Sequence, residues 1–181
     1  MKKLLILITL LLVLAFPTHT HAADKISQAS ATLVQSNPGA DPILNDMRVK
    51  ALENVFKKHN SPLATEAVNY VKYADLYGVD WKLLPAISGL ESSFGLRLMP
   101  GSYNAYGWGG GHIYFDSWED GIKTINKSLR ERYMDRGAID VWSIGPIYAE
   151  SPTWAVRVNR FMSEINAEYL KLTTFTLAPT I

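Results

Sequence analysis

From Ile43 to Lys58 the apolar residues Val49, Leu52, Val55 and Phe56 recur at helical spacing. Ser61-Pro62 opens a second helix, because proline is tolerated in a first turn that has no use for its missing N–H. That helix is predicted to reach about Tyr77 and to stop at Gly78, a residue suited to a left-handed end. Asp80 is placed to cap a third helix from Trp81 to about Ser93, with Pro85 near its opening turn. The pattern then fails. Gly95 to Asp116 holds six of the twelve glycines and three tyrosines and has no periodicity. It reads as an irregular flap, with room for a short β-hairpin, whose backbone is free to approach a ligand closely. Ser117-Trp118-Glu119-Asp120 resembles a capping box, and after it Ile122, Ile125, Leu129 and Tyr133 share one helical face. A short helix is predicted over Val141 to Ala149. Ser151-Pro152 reads as the cap and first position of a last helix, whose apolar stripe is Trp154, Val158, Phe161 and Ile165. The tail from Thr173 contains Pro179 and is expected to fray. No repeat and no convincing strand alternation is present. The predicted fold is mainly α with one Gly/Tyr-rich flap.

The first 22 residues follow a different logic. Lys2 and Lys3 precede an apolar run from Leu4 to Phe16, Pro17 breaks it, and Thr20-His21-Ala22 offers small residues for cleavage. This is the build of a secretory signal peptide, and the run is short for a membrane span. The expected organisation is a signal peptide over 1–22, a polar linker and helical arm over 23–60, a main domain over 61–172 and a tail over 173–181. The mature chain is then expected outside the cytoplasm, periplasmic or extracellular.

Composition narrows the chemistry. The net charge is +1, and removing the first 22 residues takes away Lys2 and Lys3 and leaves −1. Such a balance provides no basic field for nucleic acid. There is no cysteine, which excludes disulfides, thiolate catalysis and cysteine-ligated zinc. Of the four histidines, His19 and His21 fall in the export segment, leaving His59 and His112. No metal and no cofactor is expected.

Glu91 is the candidate for catalysis. It ends an apolar helix, in Ile87-Ser88-Gly89-Leu90-Glu91-Ser92-Ser93-Phe94-Gly95. A carboxyl among apolar and small residues loses hydration, which favours its neutral, proton-donating form, and Ser92 beside it can orient it by a hydrogen bond. The plainer reading is a solvated glutamate near a helix end. Flat rings suit pyranose faces, so Tyr103, Tyr106, Trp108, Tyr114 and Tyr148 are candidates for binding sugar. Tyr73, Tyr77, Trp118, Trp142 and Trp154, on or beside helices, are expected in the core. Asn104 suits either an acetamido group or a turn.

Three segments resemble a known family. Glu91-Ser92-Ser93-Phe94-Gly95 looks like the Glu-Ser signature of lysozyme-like transglycosylases and bacterial glucosaminidases. Asn104-Ala105-Tyr106-Gly107-Trp108 is similar to the Asn-Leu-Phe-Gly-Ile segment of the bacterial endo-β-N-acetylglucosaminidases of glycoside hydrolase family 73. The run from Tyr148 to Val158 resembles that family's Tyr-Ala-Thr-Asp-Pro-x-Tyr-Ala-x-Lys-Ile motif. The matches come in the family's order and cover about Thr65 to Ile165. The resemblance implies a lysozyme-like fold for 61–172, peptidoglycan as substrate, Glu91 as general acid and Tyr148 near it. One departure stands out: the family's Thr-Asp pair is Glu150-Ser151 here.

A paired-carboxylate mechanism needs a second acid. None occurs between Ser92 and Phe115, and Asp116, Glu119, Asp120 and Glu150 are the next candidates. Glu119 and Asp120 are more simply first-turn charges favoured by the helix dipole. Glu91 alone, assisted by the substrate's 2-acetamido group, is the sharper expectation. Hydrolysis, lytic transglycosylation to an anhydro sugar, and wall binding without catalysis all stay open at this stage.

Overall fold

The computed structural model describes residues 46–176. The proposed signal peptide, the linker as far as residue 45 and the end of the tail, residues 177–181, lie outside the described residues. Within them there are six α-helices and no strand: α1 Met47–Lys58, α2 Ala67–Tyr77, α3 Leu83–Ser92, α4 Trp118–Ser128, α5 Val141–Tyr148 and α6 Trp154–Thr176. The β-hairpin allowed for in the flap is not formed. No helix among the described residues is long and apolar enough to cross a membrane.

α1 begins at Asp46, whose side chain accepts the Arg48 N–H. Val49, Leu52, Val55 and Phe56 are buried as their spacing predicts. They pack α1 against α6 and α2 within one helical unit. The reason is plain: an apolar face of this size must be covered, and α6 covers it. Arg48 adds a bridge to α2 through Asp75 at 2.7 Å.

Ser61 caps the next segment by accepting the Leu63 N–H. The first turn, Pro62–Glu66, is 3₁₀, and the α-helix proper starts at Ala67 and ends at Gly78 with φ 61. α3 starts at Leu83, because the Asp80 side chain and carbonyl take the N–H groups of Lys82 and Leu83. From Leu83 to Gly89 every residue of α3 is buried. Ser88 satisfies the Pro85 carbonyl with its hydroxyl at 2.7 Å, so its burial leaves no polar group without a partner. A Cβ on Gly89 would stand 2.7 Å from the Phe94 ring. Glycine is what lets that ring close onto the helix.

α3 ends in an unusual way. Ser93, Phe94 and Gly95 have φ of 52, 58 and 82, a run in the left-handed region. The Phe94 N–H returns to the Ser88 carbonyl, and the Phe94 ring is buried among Phe56, His59 and Phe161 at centroid distances of 5.7, 4.6 and 5.2 Å.

α4 is capped by Ser117, which accepts the Asp120 N–H at 3.1 Å. Its buried face holds Ile122 and Ile125 and continues into Leu129 and Tyr133. A π turn over Leu129–Tyr133 and a 3₁₀ turn over Met134–Arg136 follow. α5 starts with an Asp140/Ser143 capping box. α6 begins at Trp154, later than the Ser151-Pro152 signal suggests. The Ser151 carbonyl accepts the Trp154 N–H, while its hydroxyl lies against the Thr153 hydroxyl. At its other end α6 continues to Thr176, past the residue where fraying was expected. Tyr73 and Trp154 are buried, Tyr77 and Trp118 half-buried, and Trp142 is 53% exposed, against the expectation for the core.

His59 and Lys58, at the end of α1, both bond Glu164 of α6, at 3.0 and 2.6 Å. Partial burial raises the Glu164 carboxyl, but these hydrogen bonds outweigh it and hold the group below its ordinary value of 4.5. A depressed folded-state value means stability that is present above the unfolded value and lost as pH falls through the folded one. Glu164→Gln is therefore expected to lower the urea midpoint at neutral pH, with the deficit shrinking as the pH falls through the depressed titration of the wild-type carboxyl. An equal loss at neutral and at acid pH would contradict this.

Candidate active site

Glu91 is the one exposed residue of α3. The expectation of a carboxyl enclosed by its apolar sequence neighbours is corrected. Ile87, Ser92 and Phe94 are buried, but successive helix residues point about 100° apart, so their burial turns Glu91 outward. The carboxyl is nevertheless held. Its Oε1 accepts the Trp154 indole N–H at 2.7 Å. Its Oε2 lies where a Cβ on Gly107 would come within 2.9 Å, and Gly107 has φ +65. Glycine at 107 thus serves both the turn and the close approach to the acid.

Gly107 and Tyr148 lie in the wall of a cleft of about 500 Å³, together with Trp108, Tyr133, Arg132 and Arg136. Its rings form one contiguous cluster. Tyr148 stacks on Trp154 at 4.8 Å and 26°, and it stands 5.9 Å from Trp108 and 6.1 Å from Tyr133. The Tyr148 hydroxyl donates to the Tyr106 carbonyl at 2.8 Å. Burial, and then the nearby Glu91 charge, push the Tyr148 phenol well above its ordinary range, so it stays neutral. Burial also raises Tyr133. Trp108 and Tyr148 thus line one cleft, with Glu91 close to Tyr148 and to Gly107 of its wall.

The other candidates have different work. Ser92 does not touch the carboxyl. Its hydroxyl lies 2.9 Å from the carbonyls of Ser88 and of Ala105 and accepts the Gly95 N–H, which pins the flap to the end of α3. Asn104 is 3% exposed and wholly used inside the flap. Its Nδ2 donates to the Trp108 and Ile113 carbonyls at 2.8 and 2.9 Å, and its Oδ1 accepts the Trp108 N–H at 3.0 Å. No donor is left for an acetamido group. Tyr106 is fully buried with its hydroxyl 3.0 Å from that of Tyr70. Tyr103 packs edge-on against Trp118 at 5.2 Å and does not line the cleft. Glu150 lines a separate groove with Trp142, Pro146 and Pro152. These five are therefore corrected as contacts for a ligand in this cleft. Ser92 and Asn104 are spent on backbone groups that need partners, Tyr106 and Tyr103 on aromatic neighbours, and Glu150 belongs to another groove.

None of the residues lining the cleft is Asp or Glu, so Glu91, against Gly107, has no carboxylate facing it from the cleft wall. Glu119 is engaged by Tyr73 and Lys72, at 2.7 and 3.2 Å. Among the described residues no cluster of His, Asp and Glu suits a metal ion. Three features around the cleft and the carboxyl escape the sequence pattern: the Trp154 donor, Tyr133, and the arginines Arg132 and Arg136. Trp154 and Tyr133 sit in apolar helical stripes, which signal burial and give no hint of what the ring edge reaches. Neither protein-family models nor curated proteins give a match to this chain.

Asn104→Ala removes the hub of the flap. It is expected to lower stability by about 1–3 kcal/mol. It should also raise amide hydrogen exchange selectively over residues 104–113. Uniform exchange changes across the helices would refute a local role.

Proposed function

We propose that the chain is an exported, lysozyme-like glycosidase that cleaves β-1,4 bonds in the amino-sugar backbone of peptidoglycan, with Glu91 as general acid. The observation that carries this reading is an oriented carboxyl at the rim of an aromatic cleft. The order of the three sequence segments that resemble the glucosaminidases supports it further. So does the fact that two of those segments, 104–108 and 148–158, supply Gly107, Trp108, Tyr148 and Trp154 around Glu91.

The hydrogen bonding assigns roles to the two oxygens. An indole N–H is only a donor, so Oε1 is an acceptor and any proton on the carboxyl sits on Oε2. That is the oxygen beside Gly107, in the cleft wall. Once the proton has gone to the departing sugar oxygen, the Trp154 bond becomes charge-assisted and strengthens. Tyr148, neutral and anchored to the Tyr106 carbonyl, keeps its ring against Trp154 and fixes the indole edge. With no second acid in the wall, the substrate's own 2-acetamido group supplies the nucleophile at the anomeric carbon.

The same lone carboxylate favours a second reading, in which the 6-hydroxyl of a muramic acid residue attacks and an anhydro sugar forms. Mass spectrometry of digested peptidoglycan separates the two, since the anhydro product is lighter by one water. Glu91→Gln is expected to lower turnover by about 10²–10⁴-fold while wall binding persists. Full activity in that variant would reject the assignment, and wild-type binding without any clearing would mark a non-catalytic wall protein. Trp154→Phe keeps the stacked ring and loses the donor. It is expected to reduce kcat about tenfold with little change in KM. An unchanged kcat would remove Trp154 from the mechanism.

A further inference from the structure

The segment after α4 carries three arginines, and the structure treats them differently. Arg130 points to the end of α2, where its Nε donates to the Tyr77 carbonyl at 2.6 Å and its Nη2 to the Gly78 carbonyl. It also lies 3.8 Å from Asp135. Arg132 and Arg136 line the same cleft as Gly107, the residue against which the Glu91 carboxyl lies, and Tyr148. Both are exposed, and among the described residues neither guanidinium has a hydrogen-bonding or ion-pair partner. No Asp or Glu lines the cleft to neutralise them. Two like charges lining one cleft repel, and no carboxylate in its wall offsets that repulsion.

A neutral sugar chain gives no reason for this arrangement. Flat rings and hydroxyl contacts suffice for pyranoses, and Trp108, Tyr133 and Tyr148 provide them. A guanidinium is planar, always charged and shaped to take a carboxylate through two parallel N–H bonds. We propose that Arg132 and Arg136 form a carboxylate-recognising subsite, which selects glycan strands bearing acidic peptide substituents over neutral amino-sugar oligomers. This rests on the glycosidase reading and adds to it the side of the cleft on which the peptide-bearing sugar lies.

The experiment uses the full chain carrying Glu91→Gln, so that binding is measured without turnover. Isothermal titration compares three probes: a soluble peptidoglycan fragment with its stem peptides, the same fragment with its carboxylates amidated, and a neutral N-acetylglucosamine oligomer. Both arginines are exposed, so Arg132→Gln/Arg136→Gln is expected to fold, and circular dichroism checks that. The ratio of affinity for the peptide-bearing fragment to that for the neutral oligomer should fall about tenfold in the double variant. Amidating the fragment should produce the same fall with the arginines intact. Arg132→Lys/Arg136→Lys should recover part of the ratio, having the charge without the fork. An unchanged ratio in the double variant, or equal affinity of the amidated and free fragments, overturns the subsite and leaves the glycosidase reading standing. Failure of every glycan probe to bind overturns both. Selective binding with no cleavage by the wild-type chain keeps the subsite and overturns the catalytic assignment.

Discussion

Ser93, Phe94 and Gly95 occupy the left-handed region in succession, and only Gly95 does so without a steric cost. Two such non-glycine residues cost on the order of 1–3 kcal/mol each. The chain accepts this because the turn drops the Phe94 ring into the space between α1, α3 and α6. Full burial of that side chain returns roughly 1.5–3 kcal/mol, with ring-edge contacts in addition. The turn also decides where everything after it goes. It reverses the backbone at the last turn of α3, so the flap folds back over the helix end and Gly107 arrives beside the Glu91 carboxyl. A helix buried as deeply as α3 has few places to present a charged group, and its last turn is the place used.

Polar groups around the carboxyl divide into two sets. Ser92 and Asn104 are buried and spend their hydrogen bonds on backbone, one joining the flap to α3 and the other closing the flap on itself. Tyr148, Tyr133 and Trp108 line the cleft and touch one another ring to ring, while buried Trp154 stacks behind Tyr148 and directs its indole N–H to the Glu91 carboxyl. The acid and its surroundings are thereby placed by rigid elements, α3, α5 and α6, with the flap supplying only its glycine backbone and one indole. Precision at a site comes from such support, since a side chain carried on a packed helix strays less than one carried on a loop.

The helices are legible in the sequence because their apolar spacing and their caps agree. Val49, Leu52, Val55 and Phe56 are buried as a set, Gly78 takes the left-handed end, and Ser117 caps α4. The start of α6 is less legible, since Ser151-Pro152 carries a strong start signal while the helix begins at Trp154. Within the candidate site, Glu91, Trp108 and Tyr148 are legible from motif order. The roles of Ser92, Asn104 and Tyr106 are not, because a polar residue next to a functional one in sequence can spend its bonds on distant backbone, and no local pattern tells which. Trp142 and Trp154 show the same limit. Both lie near a helix start, and one is exposed while the other fills the core. The arginines are hidden for another reason: the π turn after α4 changes the helical phase, so the spacing of Arg130, Arg132 and Arg136 says little about which way each one faces.

Glu91 takes its bearing from an indole 63 positions further along the chain. Synthesis runs from the N-terminus, so α3 can be complete while the segment that fixes its terminal carboxyl has yet to leave the ribosome. Without α6 the indole that holds Oε1 of Glu91 is missing. Any shortened product ending before residue 154 would keep that acid and lack its orientation. The bond thus makes the bearing of an acid on α3 depend on the presence of the last helix.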